Sequence, residues 1–173
     1  MSVNDLNILI EKILTPCELQ CSQVKPEKES AEYDATGFKL NELAVQYRRA
    51  KITPTKVGQF VTLWKRDAHK QPIRPYQDKD SIDLAIIAAR KDGQLGYFIF
   101  PLSVLCKQGI VTHDNKPGKR GFRVYPIWDK PLSKQAKKTQ EWQLRHFLDL
   151  SQMHGLEVDN LQGYFNLDSL VTL

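Results

Sequence analysis

The stretch from Ser81 to Ala89 is the most apolar in the chain, with Ile82, Leu84, Ala85, Ile86 and Ile87 in near-unbroken succession. A run of that length without polar alternation suits a strand buried on both faces. Asp92-Gly93 follows, a dipeptide suited to the left-handed backbone of a tight hairpin turn. Leu-Gly-Tyr-Phe-Ile-Phe then returns over residues 95–100 and stops at Pro101. A hairpin this apolar has to lie at the middle of a sheet with cover above and below. The remainder of the 173 residues must supply that cover. A chain of this length forms one ordinary domain and buries roughly 70% of its unfolded surface without a metal or disulfide staple.

Helical periodicity supplies part of the cover. Leu6, Leu9, Ile10, Ile13 and Leu14 recur at helical spacing, so residues 3–14 read as an amphipathic helix ended by Pro16. Residues 22–32 read as a polar loop or helix start. Residues 38–50 read as strand then helix, because Leu40, Leu43, Ala44 and Tyr47 share one helical side. Gly58 to Arg66 alternates as a strand, and Gly121 to Pro126 reads as another. A short helix fits residues 102–107. Ser133 is a natural N-cap for a last helix reaching to about Ser151. The fold class expected is mixed α+β: a single-domain sandwich with a central mixed β-sheet flanked by helices.

Several classes are disfavoured at once. No stretch approaches the roughly 20 apolar residues of a membrane span. Residues 1–14 carry Asp5, Glu11 and Lys12 inside their apolar pattern, which does not read as a signal peptide. The three cysteines, Cys17, Cys21 and Cys106, are few and odd in number, as expected of a reducing cytoplasm. Cys17 and Cys21 stand four apart, but the four histidines show no partner spacing for a zinc site. Nothing suggests a nucleotide cofactor, and His146 reads as a boundary residue rather than a general base.

Charge is unevenly spread. Residues 39–76 hold nine basic and two acidic residues, and residues 107–146 hold ten and three. The ends are acidic: residues 1–38 carry seven acids against three bases, and residues 147–173 carry four acids and no Lys or Arg. If the two basic blocks meet in space, they form a positive face suited to phosphate backbones. Lys51, Lys56, Lys65 and Arg66 cluster around Pro54. Lys116-Pro117-Gly118-Lys119-Arg120-Gly121 is a basic loop whose glycines would let backbone approach a phosphate. Lys134, Lys138 and Arg145 fall on one face of the last helix, with Gln135, Thr139, Gln140 and Gln143 beside its apolar side. Trp64, Tyr125 and Trp128 interleave with the basic residues and are read first as core packing.

Four strings carry a family resemblance. They are Ala50-Lys51-Ile52-Thr53-Pro54-Thr55-Lys56-Val57-Gly58-Gln59-Phe60, Phe98-Ile99-Phe100-Pro101, Gly118-Lys119-Arg120-Gly121-Phe122-Arg123-Val124-Tyr125-Pro126, and Lys134-Gln135-Ala136 followed by Thr139-Gln140 and Trp142-Gln143. In this order they resemble the MepB-like family of small bacterial proteins, over roughly residues 33–148. The resemblance implies a restriction-endonuclease-like core over residues 33–150. An N-terminal helix and polar loop precede it (1–32), and an acidic C-terminal segment follows (151–173). It further implies nucleic-acid binding, with DNA as the favoured partner and no membrane.

The implied nuclease core makes a chemical demand. Such enzymes hold Mg²⁺ between an Asp and a second carboxylate two residues before a Lys, on neighbouring strands, often helped by a helix Glu. Asp83, at the start of the buried strand, stands where the first carboxylate and metal ligand would be, and Glu42 is the candidate helix acid. The next strand, 95–101, has neither carboxylate nor Lys. The leading expectation is therefore a nucleic-acid binder, duplex DNA first, without the intact Asp/Glu-x-Lys motif. Lys51, Lys56, Lys65, Lys119, Arg120, Arg123, Lys134 and Lys138 would contact phosphates, while Gln135 and Gln140 would reach base edges. Two alternatives stand beside it: a Mg²⁺-dependent endonuclease with a migrated site around Asp83 and Glu42, and a non-catalytic binder of an acidic protein or anionic ligand.

Overall fold

The computed structural model describes residues 4–152 and 161–165. In chain order the elements are α1 (Asp5–Leu9), a π turn (Ile10–Leu14), β1 (Cys21–Pro26), a 3₁₀ turn (Ala31–Tyr33), β2 (Thr36–Leu40), β3 (Leu43–Arg49), β4 (Lys51–Ile52), β5 (Gln59–Thr62), β6 (Trp64–Lys65), β7 (Arg74–Pro75), β8 (Leu84–Lys91), β9 (Gln94–Pro101), α2 (Leu102–Lys107), β10 (Gly121–Val124), α3 (Lys134–Leu144), β11 (Phe147–Asp149) and a second 3₁₀ turn (Leu150–Gln152).

Six strands form the main sheet, in the order β1-β2-β3-β8-β9-β11. All neighbours are antiparallel except β3 and β8, which run parallel, so the sheet is mixed. The β8–β9 hairpin lies where its composition requires. Its turn residues Asp92 and Gly93 have φ of 49° and 81°, both left-handed. Asp tolerates that region and Gly adopts it freely.

Alternation along these strands sorts side chains onto two faces. Leu84, Ile86, Ala88, Leu95, Tyr97 and Ile99 point to one face, where Leu6, Leu9, Ile13 and Leu14 of the N-terminal helical segment cover them. Ala85, Ile87, Ala89, Phe98 and Phe100 point to the other. Each of these larger side chains contributes roughly 1.5–3 kcal/mol by leaving water. The N-terminal segment is tied down by charge as well as by burial. Asp5 is 5% exposed, and its carboxylate accepts from Arg90 at 2.6 Å and lies 3.4 Å from Arg49.

The second face is covered by more than helices. A three-stranded antiparallel sheet, β10-β5-β4, lies over it with α2 and α3. Val61, Phe122 and Val124 of this small sheet pack with Phe98, Phe100 and Leu105. The chain enters it directly from β3 and returns to the main sheet at β8, so β4–β7 fill the parallel crossover. Two bonds anchor the small sheet to the large one: Ala50 N donates to the Ala88 carbonyl at 2.9 Å, and Gln59 Nε2 donates to the Arg90 carbonyl at 3.3 Å.

The mixed α+β class holds, with four local corrections. Residues 38–50 are not strand then helix but a β2–β3 hairpin, turning at Asn41 with φ 51°. Residues 22–32 are neither loop nor helix start throughout; β1 occupies Cys21–Pro26 as an exposed edge strand. Its pairing with β2 is irregular between Ser22 and Lys25. The last helix ends at Leu144, not Ser151, because residues 147–149 return to the sheet as β11 beside β9. The segment read as one strand over 58–66 splits into β5 and β6, which belong to different sheets. Most of the acidic segment 151–173 lies outside the described residues, as do residues 1–3. No helix among the described residues is long and apolar enough to cross a membrane.

Candidate nucleic-acid interface

The two basic blocks of the sequence meet at the small sheet. β10 pairs antiparallel with β5, with Arg123 opposite Phe60 and Val124 opposite Gln59. This register sets the Arg123 side chain against the loop 53–58. Its guanidinium donates to Thr53 Oγ1 at 2.6 Å and lies 3.4 Å from the Val57 and Gly58 carbonyls. No carboxylate pairs with Arg123 among the described residues, so its charge is oriented but not neutralised.

Helix α3 holds the other wall. Ser133 caps it, its Oγ accepting from Ala136 N at 3.1 Å. Gln143 is 1% exposed and completes the free edge of β10 as a strand would. Its Oε1 accepts from Tyr125 N at 2.8 Å, and its Nε2 donates to the Arg123 carbonyl at 2.9 Å. One turn earlier, Gln140 Nε2 donates to the carbonyls of Pro126 at 2.9 Å and Asp129 at 2.8 Å. These two amides strap the 125–129 loop to the helix.

Between these walls runs a groove made of three adjoining concavities. The first, about 470 Å³, lies between β10 and α3 and includes Lys119, Arg123, Gln135 and Trp142. The second, about 220 Å³, shares Arg123, Tyr125, Ser133 and Ala136 with the first and adds Lys56 and Leu132. The third, about 510 Å³, shares Lys56 and Val57 with the second and extends to Lys91, Trp128, Asp129 and Lys130. Five cations therefore line the groove (Lys56, Lys91, Lys119, Arg123 and Lys130) against one carboxylate, Asp129. Asp129 is itself buried and bonded to Lys91 at 3.2 Å. Four large apolar side chains remain exposed in or beside the same groove: Ile52, Val57, Ile127 and Leu132, the last at 85%.

The candidate residues separate clearly. Lys56, Lys119, Arg123 and Gln135 come together in the groove. Arg120 adjoins Lys119, and its carbonyl accepts from Leu63 N. Lys51 lies 4.8 Å over the Tyr33 ring rather than in the groove. Lys65 pairs with Asp80 at 3.6 Å, in the β6–β7 ribbon. Lys134 and Lys138 are exposed on α3 without lining any of the three concavities. Gln140 commits its amide nitrogen to backbone carbonyls of the 125–129 loop. The Gly118 backbone packs on its own chain: a Cβ there would lie 2.7 Å from Thr112 N, so this glycine serves internal packing.

Lys91, Lys130 and Trp142 are groove residues the sequence did not single out. Lys91 ends a strand and Lys130 ends a loop, so neither belongs to a basic string. Of the interleaved aromatics, Tyr125 and Trp128 do line the groove, whereas Trp64 lies under Arg66, 5.9 Å from its ring centre. His146 sits behind Trp142 against Phe100, where burial and the neighbouring Arg145 lower its pKa and favour the neutral ring.

Two residues stand as candidates for magnesium, Asp83 and Glu42. Asp83 immediately precedes β8, and Lys91 ends that strand. Asp83 Oδ2 accepts from Ala44 N at 2.8 Å, and the Asp83 backbone N donates to the Ala44 carbonyl at 2.8 Å, so Asp83 links the β3 and β8 starts. Glu42 is exposed in the β2–β3 turn, not on a helix. β9 offers no carboxylate. Among the described residues no three His, Cys, Asp or Glu side chains are grouped to hold a metal ion.

Comparison with known proteins identifies the family. The MepB-like family model matches residues 27–149, most of the chain. The chain belongs to the MepB-like family. A crystal structure of MepB is 36% identical, covers 87% of this chain and 99% of its own, and superposes with a TM-score of 0.74. A bacterial homing endonuclease is 14% identical over 80% of this chain and 86% of its own, with a TM-score of 0.45. No curated protein matches the sequence. The strings that carried the MepB-like resemblance form much of the groove: 50–60 gives β4 and its following loop, 118–126 gives β10, and 134–143 gives α3.

Proposed function

We propose that this MepB-like protein binds nucleic acid, duplex DNA in the first place, in the groove between the small sheet and α3. One observation carries the reading: five cations converge on the groove, Lys56, Lys119, Arg123 and Lys130 from the two basic segments and Lys91 from the end of β8, with a single buried carboxylate among them. Cations held with so few counter-charges favour a polyanion, because neutralising its phosphates releases condensed counterions. Arg123 supports this further, since its guanidinium is already fixed by Thr53 and loses little freedom on binding.

The test is a gel-retardation titration of a short duplex at two salt concentrations. With four or five phosphates neutralised, log K should fall with log salt at a slope of about −4, roughly a 250-fold loss between 50 and 200 mM. Arg123→Ala and Lys119→Ala should each weaken binding and flatten the slope by about one unit. Binding that ignores salt, or no binding at low salt, overturns the reading and favours an acidic protein or a small anion in the groove.

A further inference from the structure

We infer that the concavity at the α3 end of the groove takes up a single unpaired nucleotide, with Leu132 holding the neighbouring base stack open. The inference rests on the groove being a nucleic-acid site and names the form of nucleic acid it prefers. Three features point there.

The first is shape. The hollow between β10 and α3 holds about 470 Å³, within the roughly 300–1,000 Å³ range of pockets that enclose a small ligand. A regular duplex lies across such a hollow without filling it.

The second is chemistry. Trp142 lines this hollow and is held from behind by Phe100, with ring centres 5.4 Å apart, so it offers a rigid aromatic surface. Gln108, Gln135 and Thr139 add polar groups, and the Gln135 amide makes no hydrogen bond within the described residues. Lys119 and Arg123 supply positive charge at the same place. An aromatic face, free amide groups and cations match the base, base edge and phosphate of one nucleotide. In a duplex the ring faces are stacked and the Watson–Crick edges are paired, so only an unpaired base offers a free face to Trp142.

The third is Leu132. It is 85% exposed and lines the concavity adjoining the hollow. Burial in solvent-free surroundings would stabilise such a side chain, and nothing in the described structure buries it. Proteins that unstack DNA insert apolar side chains of this kind between base steps, and an extruded base then needs a pocket. Here wedge and pocket adjoin, and cations surround both.

The experiment compares a perfect duplex with the same duplex carrying one bulged 2-aminopurine nucleotide. The wild-type protein should bind the bulged form about tenfold or more tighter, as one captured base is worth ~1–3 kcal/mol. The 2-aminopurine fluorescence should change on binding as the base leaves its neighbours for the pocket. Leu132→Ser and Gln135→Ala should each bring the bulged-to-perfect affinity ratio down toward one. Lys130→Gln should weaken both duplexes alike and keep the ratio. Equal affinities of the wild-type protein for the two duplexes overturn the inference while leaving the groove reading standing. A free deoxynucleoside monophosphate that binds by calorimetry, with no preference for the bulge, assigns the hollow to a free nucleotide and also overturns it. Failure to bind either duplex at low salt removes both readings together.

Discussion

Asp83 and Gln143 show how a polar residue in a suggestive place can be engaged by the fold. Asp83 accepts from Ala44 N, and Gln143 both accepts from Tyr125 N and donates to the Arg123 carbonyl. Removing Asp83 as Asp83→Ala leaves a backbone N–H without its partner and should cost about 1–3 kcal/mol. Asp83→Asn keeps an acceptor oxygen and should retain most of that stability, with DNA affinity unchanged, both read by urea unfolding and gel retardation. Mg²⁺-dependent plasmid cleavage that disappears in Asp83→Asn would instead restore a metal role for this carboxylate. Gln143→Ala strips two half-buried backbone groups of their partner at once and should cost more, about 2–4 kcal/mol. It should also loosen Arg123, so under the proposed DNA-binding reading gel retardation should weaken together with stability.

At the scale of elements, the loop 113–119 has its own titratable clasp. Asp78 bonds His113 Nδ1 at 2.6 Å, and Asp114 lies 3.1 Å from Nε2. The Asp78 bond, then the charges of Asp114 and Asp78, raise the His113 pKa against the opposing effects of desolvation and, less, of Lys116. A raised folded-state pKa means the clasp is fully formed below the unfolded value and is lost as pH rises through the folded one. Amide exchange over residues 113–119 should therefore be slower at pH 5.5 than at pH 8.5, after correction for intrinsic rates. Asp78→Asn should abolish the difference.

Elements also differ in how openly the chain displayed them. The β8–β9 hairpin was legible because apolar composition, turn dipeptide and Pro101 agree. Residues 38–50 were not, because Leu40, Leu43, Ala44 and Tyr47 satisfy both a helical stripe and two facing strands. Only pairing of β3 with β8 decides between them, and that partner lies about 40 residues away. β1 was hidden by its polarity, as its outer residues meet solvent. The groove was half legible: its basic strings were visible, but Lys91 and Lys130 join it through tertiary contact alone.

For the whole molecule, the main sheet depends on two unlike covers. The N-terminal segment buries one face through four large apolar side chains and the Asp5–Arg90 pair. Deleting residues 1–16 would open a contiguous apolar surface over Tyr47, Ile86 and Tyr97. The truncated protein should lose cooperative thermal unfolding and bind a hydrophobic dye. The same deletion made on the groove side is not possible without breaking the chain, since the small sheet is built from two separate stretches.

The outermost strand of the main sheet has a consequence for how these molecules tolerate one another. β1 ends with Lys25 and Pro26, its register slips between Ser22 and Lys25, and Val24 is exposed on it. A slipped ladder presents no regular row of donors and acceptors, the proline has no N–H to give, and the lysine repels its like. Crowded copies thus find no ready template here for a shared β-ribbon, which a straight, apolar border would offer.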